Sequence, residues 1–260
     1  GSVSEAKDLI RLYAADRDRI CVAQPGVDQR LFRTRDTGAL RDELALNGRR
    51  VVLFAGRLEP LKGGDTLLDA VEALRCIPGF DDVVVLVVGD DSGDAAGSGE
   101  SERERLQRRA RSGWLDGRVR FLGAVPHERL GDYYALADVC AVPSLTESFG
   151  LVALEAQSLG TPVVAAAVGG LTEIVEDGVT GFLVAGRDPQ RWAEAIATVL
   201  RDPERRIEMG DAARTRAARY TWTRAVDRLD AIYERLTTRL DADGTPCGYD
   251  EDDVRTLRAS

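Results

Sequence analysis

Metal-binding and cross-linking side chains are scarce in this sequence, which has one histidine, one methionine and four cysteines in 260 residues. Cys21, Cys76, Cys140 and Cys247 stand singly with no C-x-x-C pair, and His127 is the one imidazole. A structural zinc or a disulfide scaffold is therefore not expected. No stretch approaches the ~20 consecutive apolar residues of a membrane-spanning helix, and no basic-then-apolar segment opens the chain. The expectation is a cytoplasmic protein with no membrane span. Basic charge is also short, 35 Lys and Arg against 44 Asp and Glu for a net charge of −9. That balance argues against general nucleic-acid binding through phosphate attraction, so any phosphate site must be local. An initiator methionine is missing as well; Gly1-Ser2 reads as an expression scar on a fragment of something longer.

What is present is a repeated strand-then-helix pattern. Val51–Ala55 and Val83–Val88 are continuous apolar runs without alternation, as in strands buried on both faces of a parallel sheet. Further strands are expected at 20–23, 119–123, 139–142, 162–166 and 181–184. Helices are expected at 3–13, 37–46, 66–74, 128–137, 172–176 and 190–200, with Ser101 and Glu104 forming a capping box for another. Six or so such units imply an α/β fold, a Rossmann-like, right-handed parallel sheet with helices on both faces, plus C-terminal helices. Trp222, Val226, Leu229, Ile232, Tyr233, Leu236 and Leu240 recur at helical spacing as an apolar stripe. The expected organisation is a linker helix over 1–19, the α/β domain over 20–220, a crossover helix over 221–241 and a flexible tail over 242–260. The glycine-rich acidic loop from Asp90 to Glu100 carries no G-x-G-x-x-G fingerprint.

Ligands of such sheets bind at the C-terminal edge of the strands. After the first long strand come Gly56, Arg57, Lys62 and Gly63, glycines and two cations where a helix starts. After Val139–Val142 the chain runs through Pro143, Glu147 and Ser148 into a helix that is expected to start near Phe149 and to carry Glu155. A helix start offers unsatisfied N–H groups and a favourable dipole to an anion. An ordinary βα connection with exposed glutamates has the same pattern, so the spacing by itself leaves both readings open. His127 in its strand-to-helix loop is likewise either at a ligand edge or simply at the surface.

Three spaced motifs go further. Gly56-Arg57-x4-Lys62-Gly63, then Glu147-Ser-Phe-Gly-x4-Glu155, then Val168-Gly-Gly-Leu-x-Glu-Ile-Val-x-Asp-Gly-x-x-Gly181 resemble the C-terminal, donor-binding domain of retaining GT-B glycosyltransferases of family four. The resemblance runs from about Ser4 to Leu240, with Gly26-Val27-Asp28 and Phe32 similar to the family's linker. It implies transfer of a hexosyl group from a nucleotide-sugar, with Arg57, Lys62 and Glu147 as the catalytic set and no metal or other cofactor. It also implies that Arg57 and Lys62 neutralise the donor diphosphate and that Glu147 faces the sugar. Glu155 would accept hydrogen bonds from the ribose, while Gly56, Val125, Ser148, Phe149, Gly150 and Leu151 complete the donor site and Asp90 borders it. Within the family, the phrasing around Leu58–Lys62, Ala141–Ser144 and Glu155–Gly170 is similar to members that act on inositol phosphate or aminocyclitols, which narrows the donor towards UDP-GlcNAc. The loop 90–100 departs from those members, which carry a shorter Gly-Pro-Ser-Gly turn.

The resemblance further implies an absent N-terminal acceptor-binding domain as the main partner. The apolar stripe from Trp222 would then be partly uncovered, favouring a homodimer. The alternative is a stand-alone, non-catalytic nucleotide-sugar-binding or regulatory module.

Overall fold

The structure is a computed structural model that describes residues 1–33, 35–91 and 99–238. The centre of the acidic loop (92–98) and the tail from residue 239 lie outside the described residues. Among the described residues one sheet is formed by β1 (Arg50–Ala55), β2 (Val83–Val88), β3 (Val119–Gly123), β4 (Val139–Val142), β5 (Val163–Ala166) and β6 (Gly181–Val184). Its order is β3-β2-β1-β4-β5-β6, and every pairing is parallel. The expected α/β class and parallel topology are thus what the chain adopts. The long pairing of β1 with β2, Arg50 opposite Val83 through Ala55 opposite Val88, joins the two most apolar runs at the middle of the sheet.

The helices are α1 (Val3–Tyr13), α2 (Gly38–Glu43), α3 (Gly64–Leu74), α4 (Glu102–Ala110), α5 (His127–Leu136), α6 (Leu151–Ser158), α7 (Leu171–Ile174), α8 (Pro189–Arg201), α9 (Pro203–Ala217) and α10 (Trp222–Thr238). α3 packs on α8, while α5 packs on α6 and α6 on α9, which sandwiches the sheet between two helical layers. The capping box at α4 forms as the sequence implies, Ser101 accepting from the Glu104 N–H and Glu104 from the Ser101 N–H. At the N-terminal edge of the sheet Asp138 accepts from the Val51 N–H at 2.7 Å and pairs with Arg206 at 3.2 Å. That carboxylate ties β1 to the start of β4, and so sets the relative height of the two loops that leave the opposite edge.

Several expectations need correction. Residues 20–23 are not a strand: the run is extended but joins no ladder, and Val22 instead packs with Val3, Ala6 and Ile20 in a small cluster of its own. An apolar run becomes a strand only where a neighbour supplies hydrogen bonds, and both edges of this sheet lie elsewhere. The helix expected over 37–46 ends at Glu43, because Ala45 turns to a positive φ of 47° and the chain closes on Arg41. The segment after Pro143 enters its helix at Leu151 rather than near Phe149. Cys76 and Cys140 are free thiols, the first exposed and the second buried. The apolar stripe of α10 is exposed at Trp222, Val226, Leu229, Tyr233 and Leu236, and among the described residues no helix is long and apolar enough to cross a membrane.

Candidate functional site

β1 and β4 lie side by side at the point where the strand order changes direction. The loops leaving their C-terminal ends therefore part to either side and open a crevice. Gly56 leaves β1 at φ +138°, and a Cβ on Gly89, at the end of β2, would fall 1.8 Å from the Gly56 oxygen. The two loops thus touch backbone to backbone. A 3-10 turn, Pro60–Lys62, then ends at Gly63 with φ +74°. This turn is fastened to the β4 loop, since the Leu145 N–H donates to the Leu61 oxygen at 2.8 Å.

That fastening places Lys62 against Glu147. The ammonium Nζ donates to Glu147 Oε2 at 2.8 Å, and the Ser144 hydroxyl lies 3.3 Å from the same oxygen. Glu147 is also held by its backbone, its oxygen accepting the Gly170 N–H at 3.0 Å. A Cβ at Gly170 would meet Phe149 and Ser148 backbone atoms at 2.4–2.6 Å, so the glycine pair of the third motif lets the β5 loop lie against the β4 loop. Phe149 is buried against Tyr220 with ring centroids 5.9 Å apart. Gly150, at φ +104°, then starts α6, and no side chain caps that helix. Its first N–H groups meet no acceptor among the described residues, an arrangement suited to an anion.

Arg57 is not gathered into this group: its guanidinium pairs with Glu59 at 2.9 Å and is two-thirds exposed. Ser148 and Leu151 are exposed at the helix entrance, and Val125 is half-buried in the loop after β3. Asp90, after β2, pairs with Arg103 at 2.8 Å. His127 opens α5 at the surface with its ring edge-on to Phe32 at 5.3 Å. A cavity of about 540 Å³ lies elsewhere, between α1 and the start of α10; of the residues quoted in the three motifs, Glu173 lines it. Among the described residues no cluster of His, Cys, Asp and Glu is fit to hold a metal ion.

Glu155 sits one turn into α6. Its Oε2 accepts the Tyr134 hydroxyl at 2.9 Å, a contact that no spacing rule links in sequence because the two residues belong to different helices. Burial raises the Glu155 carboxyl above the usual range, against the lowering effects of the Tyr134 hydrogen bond and the His127 charge. The sign for stability follows from a folded pKa above the unfolded one. Ionised Glu155 opposes folding above its folded pKa, and the opposition vanishes as pH falls below the unfolded value. Glu155→Gln is therefore expected to raise the melting temperature of the ligand-free protein at pH 8, with the gain shrinking towards pH 4.5 in thermal melts followed by circular dichroism. A gain of the same size at every pH would refute that account.

Comparison with known proteins places this arrangement. Residues 36–216 match the family model described as "Glycosyl transferases group 1". The D-inositol 3-phosphate glycosyltransferase 2 of Catenulispora acidiphila is 45% identical over 241 residues, covering 92% of this chain and 56% of that protein. The corresponding enzyme of Segniliparus rotundus is 47% identical over 231 residues, covering 88% of this chain and 50% of that protein. The chain thus spans about half the length of the curated relatives it matches. Among solved structures, Anabaena Alr3699/HepE in complex with UDP and glucose superposes with a TM-score of 0.77 at 30% identity, covering 90% of this chain and 60% of that one. The C-terminal domain of the group 1 protein LpcC from Francisella tularensis shares the fold, with a TM-score of 0.65 at 22% identity, over 75% of this chain and 97% of that one. With its motifs on one sheet edge and the family model matched over most of its length, the chain belongs to the group 1 glycosyl transferases.

Proposed function

We propose that this chain is the donor-binding half of a retaining hexosyltransferase that takes a UDP-sugar, with N-acetylglucosamine as the sugar. The observation that carries the reading is the meeting of Lys62, Glu147 and the uncapped start of α6 at the crevice between β1 and β4. The UDP and glucose held by the Anabaena relative support the choice of a UDP-sugar as donor.

In this reading the diphosphate lies over Gly56 and against the N–H groups of Gly150 and Leu151. Gly56 suits that place because nothing lies within 4 Å of where its Cβ would be. Lys62 and Arg57 offset the charge that develops on the departing nucleoside diphosphate, so no metal is needed for that task. Arg57 reaches the phosphates by leaving Glu59, a step of small expense because an exposed pair contributes only about 0–1 kcal/mol. Glu147 accepts from the sugar hydroxyls, Glu155 from the ribose, and Val125 borders the base, with Ser148 and Phe149 shaping the entrance. Transfer requires an acceptor held against the donor sugar, which the unmatched half of the relatives' length would provide. The chain by itself binds donor without passing it on.

Calorimetric titration with UDP and UDP-GlcNAc tests the proposal. Saturable binding that is unchanged by EDTA and weakened by Lys62→Ala is the expected result. Absence of binding at millimolar UDP, or loss of binding on adding EDTA, would overturn it.

A further inference from the structure

We infer that Tyr134 is a positioning residue for the ribose contact, holding one oxygen of Glu155 so that the other is kept for the ligand; this rests on the donor-site reading above. Glu155 projects from α6 with most of its side chain buried, and a buried carboxylate must find donors or lose its charge. Among the described residues the one donor to it is the Tyr134 hydroxyl, at 2.9 Å from Oε2. Oε1 receives no hydrogen bond from a described residue, yet it is not sealed from solvent. The carboxylate is therefore half satisfied by the protein and half open, which is the state a ribose hydroxyl would complete.

Tyr134 is built to stay where it is. Its ring is 1% exposed and lies beside Phe32 with centroids 6.0 Å apart, while its backbone oxygen accepts the Thr161 hydroxyl at 2.6 Å. Burial pushes its phenol well above the ordinary range, and the neighbouring Glu155 charge adds to this, so the hydroxyl keeps its proton and acts as a donor. His127 stands on the same face of α5, at i and i+7, and adds a nearby positive charge when protonated. A phenol that only fills the core needs no carboxylate opposite it; here the hydroxyl meets the one acidic side chain of α6.

The test is a binding cycle on the whole chain, by calorimetry, with UDP and 2′,3′-dideoxy-UDP as the two ligands. Tyr134→Phe is expected to weaken UDP by about three- to tenfold, the loss of one modest hydrogen bond's effect, and to leave dideoxy-UDP unchanged. Glu155→Gln should give the same selective loss, and the double variant should be no weaker than Glu155→Gln. Equal weakening of both ligands, or unchanged UDP affinity, would overturn the proposal. Thermal melts of Tyr134→Phe separate a folding defect from a binding one. Failure of the unaltered protein to bind UDP would instead refute the donor-site reading itself, before Tyr134 is varied.

Discussion

Lys62→Ala is expected to weaken UDP binding by about ten- to a hundredfold, the range that follows from losing a hydrogen bond to a charged group worth ~1.5–3 kcal/mol. Two effects add in the same direction. The diphosphate loses its nearest cation, and Glu147, whose side chain is only 18% exposed, is left as an unpaired carboxylate beside an incoming anion. The second effect can be isolated. Glu147→Gln in the Lys62→Ala background removes the uncompensated charge and should restore part of the UDP affinity, whereas two independent contacts would give losses that simply add. Arg57→Ala should do less, about two- to fivefold, because Arg57 starts two-thirds exposed and paired with Glu59. Titrations of all four proteins at one ionic strength decide the order, since salt would otherwise screen the exposed arginine more than the half-buried lysine. A larger effect at Arg57 than at Lys62 would mean that the lysine serves the ion pair and not the ligand.

The sheet was legible because its signal is local. Val51–Ala55 and Val83–Val88 have no polar residue to place on a solvent face, so a parallel sheet covered on both sides follows from composition and order. The same reasoning fails at residues 20–23, where an apolar run of strand length has no ladder to join; strand propensity describes the segment, but pairing depends on what lies next to it. Lys62 and Glu147 were legible as candidates through their motifs, and their 2.8 Å contact, between residues 85 apart in sequence, follows from β1 and β4 being neighbours in the sheet. Tyr134 was not legible, because nothing in the spacing of α5 says which helix its hydroxyl will meet. Arg57 shows the opposite limit: a motif places the residue on the loop, but the nearest carboxylate, Glu59, decides where an exposed guanidinium rests.

Gly63→Ala is expected to be strongly damaging for a single-methyl change, lowering unfolding free energy by about 2–5 kcal/mol and UDP affinity with it. The sum has two parts: ~1–2 kcal/mol for an L-residue held in the left-handed region, and ~1–3 kcal/mol for forcing packed segments apart. The second part arises because the new Cβ would sit 1.9 Å from the Pro143 oxygen and 2.8 Å from its carbonyl carbon, both main chain and without a rotamer to yield. Gly48→Ala is the matching control, with φ +69° against +74° and nothing within 4 Å of its Cβ position. It should show the backbone effect without the collision, about 1–2 kcal/mol by urea denaturation, and unaltered UDP binding. The difference between the two variants then measures the contact between the β1 and β4 loops. If the chain yields at that contact instead of unfolding, the Leu145–Leu61 hydrogen bond and the Lys62–Glu147 pair must move with it. Gly63→Ala would then keep its melting temperature near that of Gly48→Ala while losing UDP affinity as Lys62→Ala does, because the lysine can meet Glu147 only while the two backbones remain in contact.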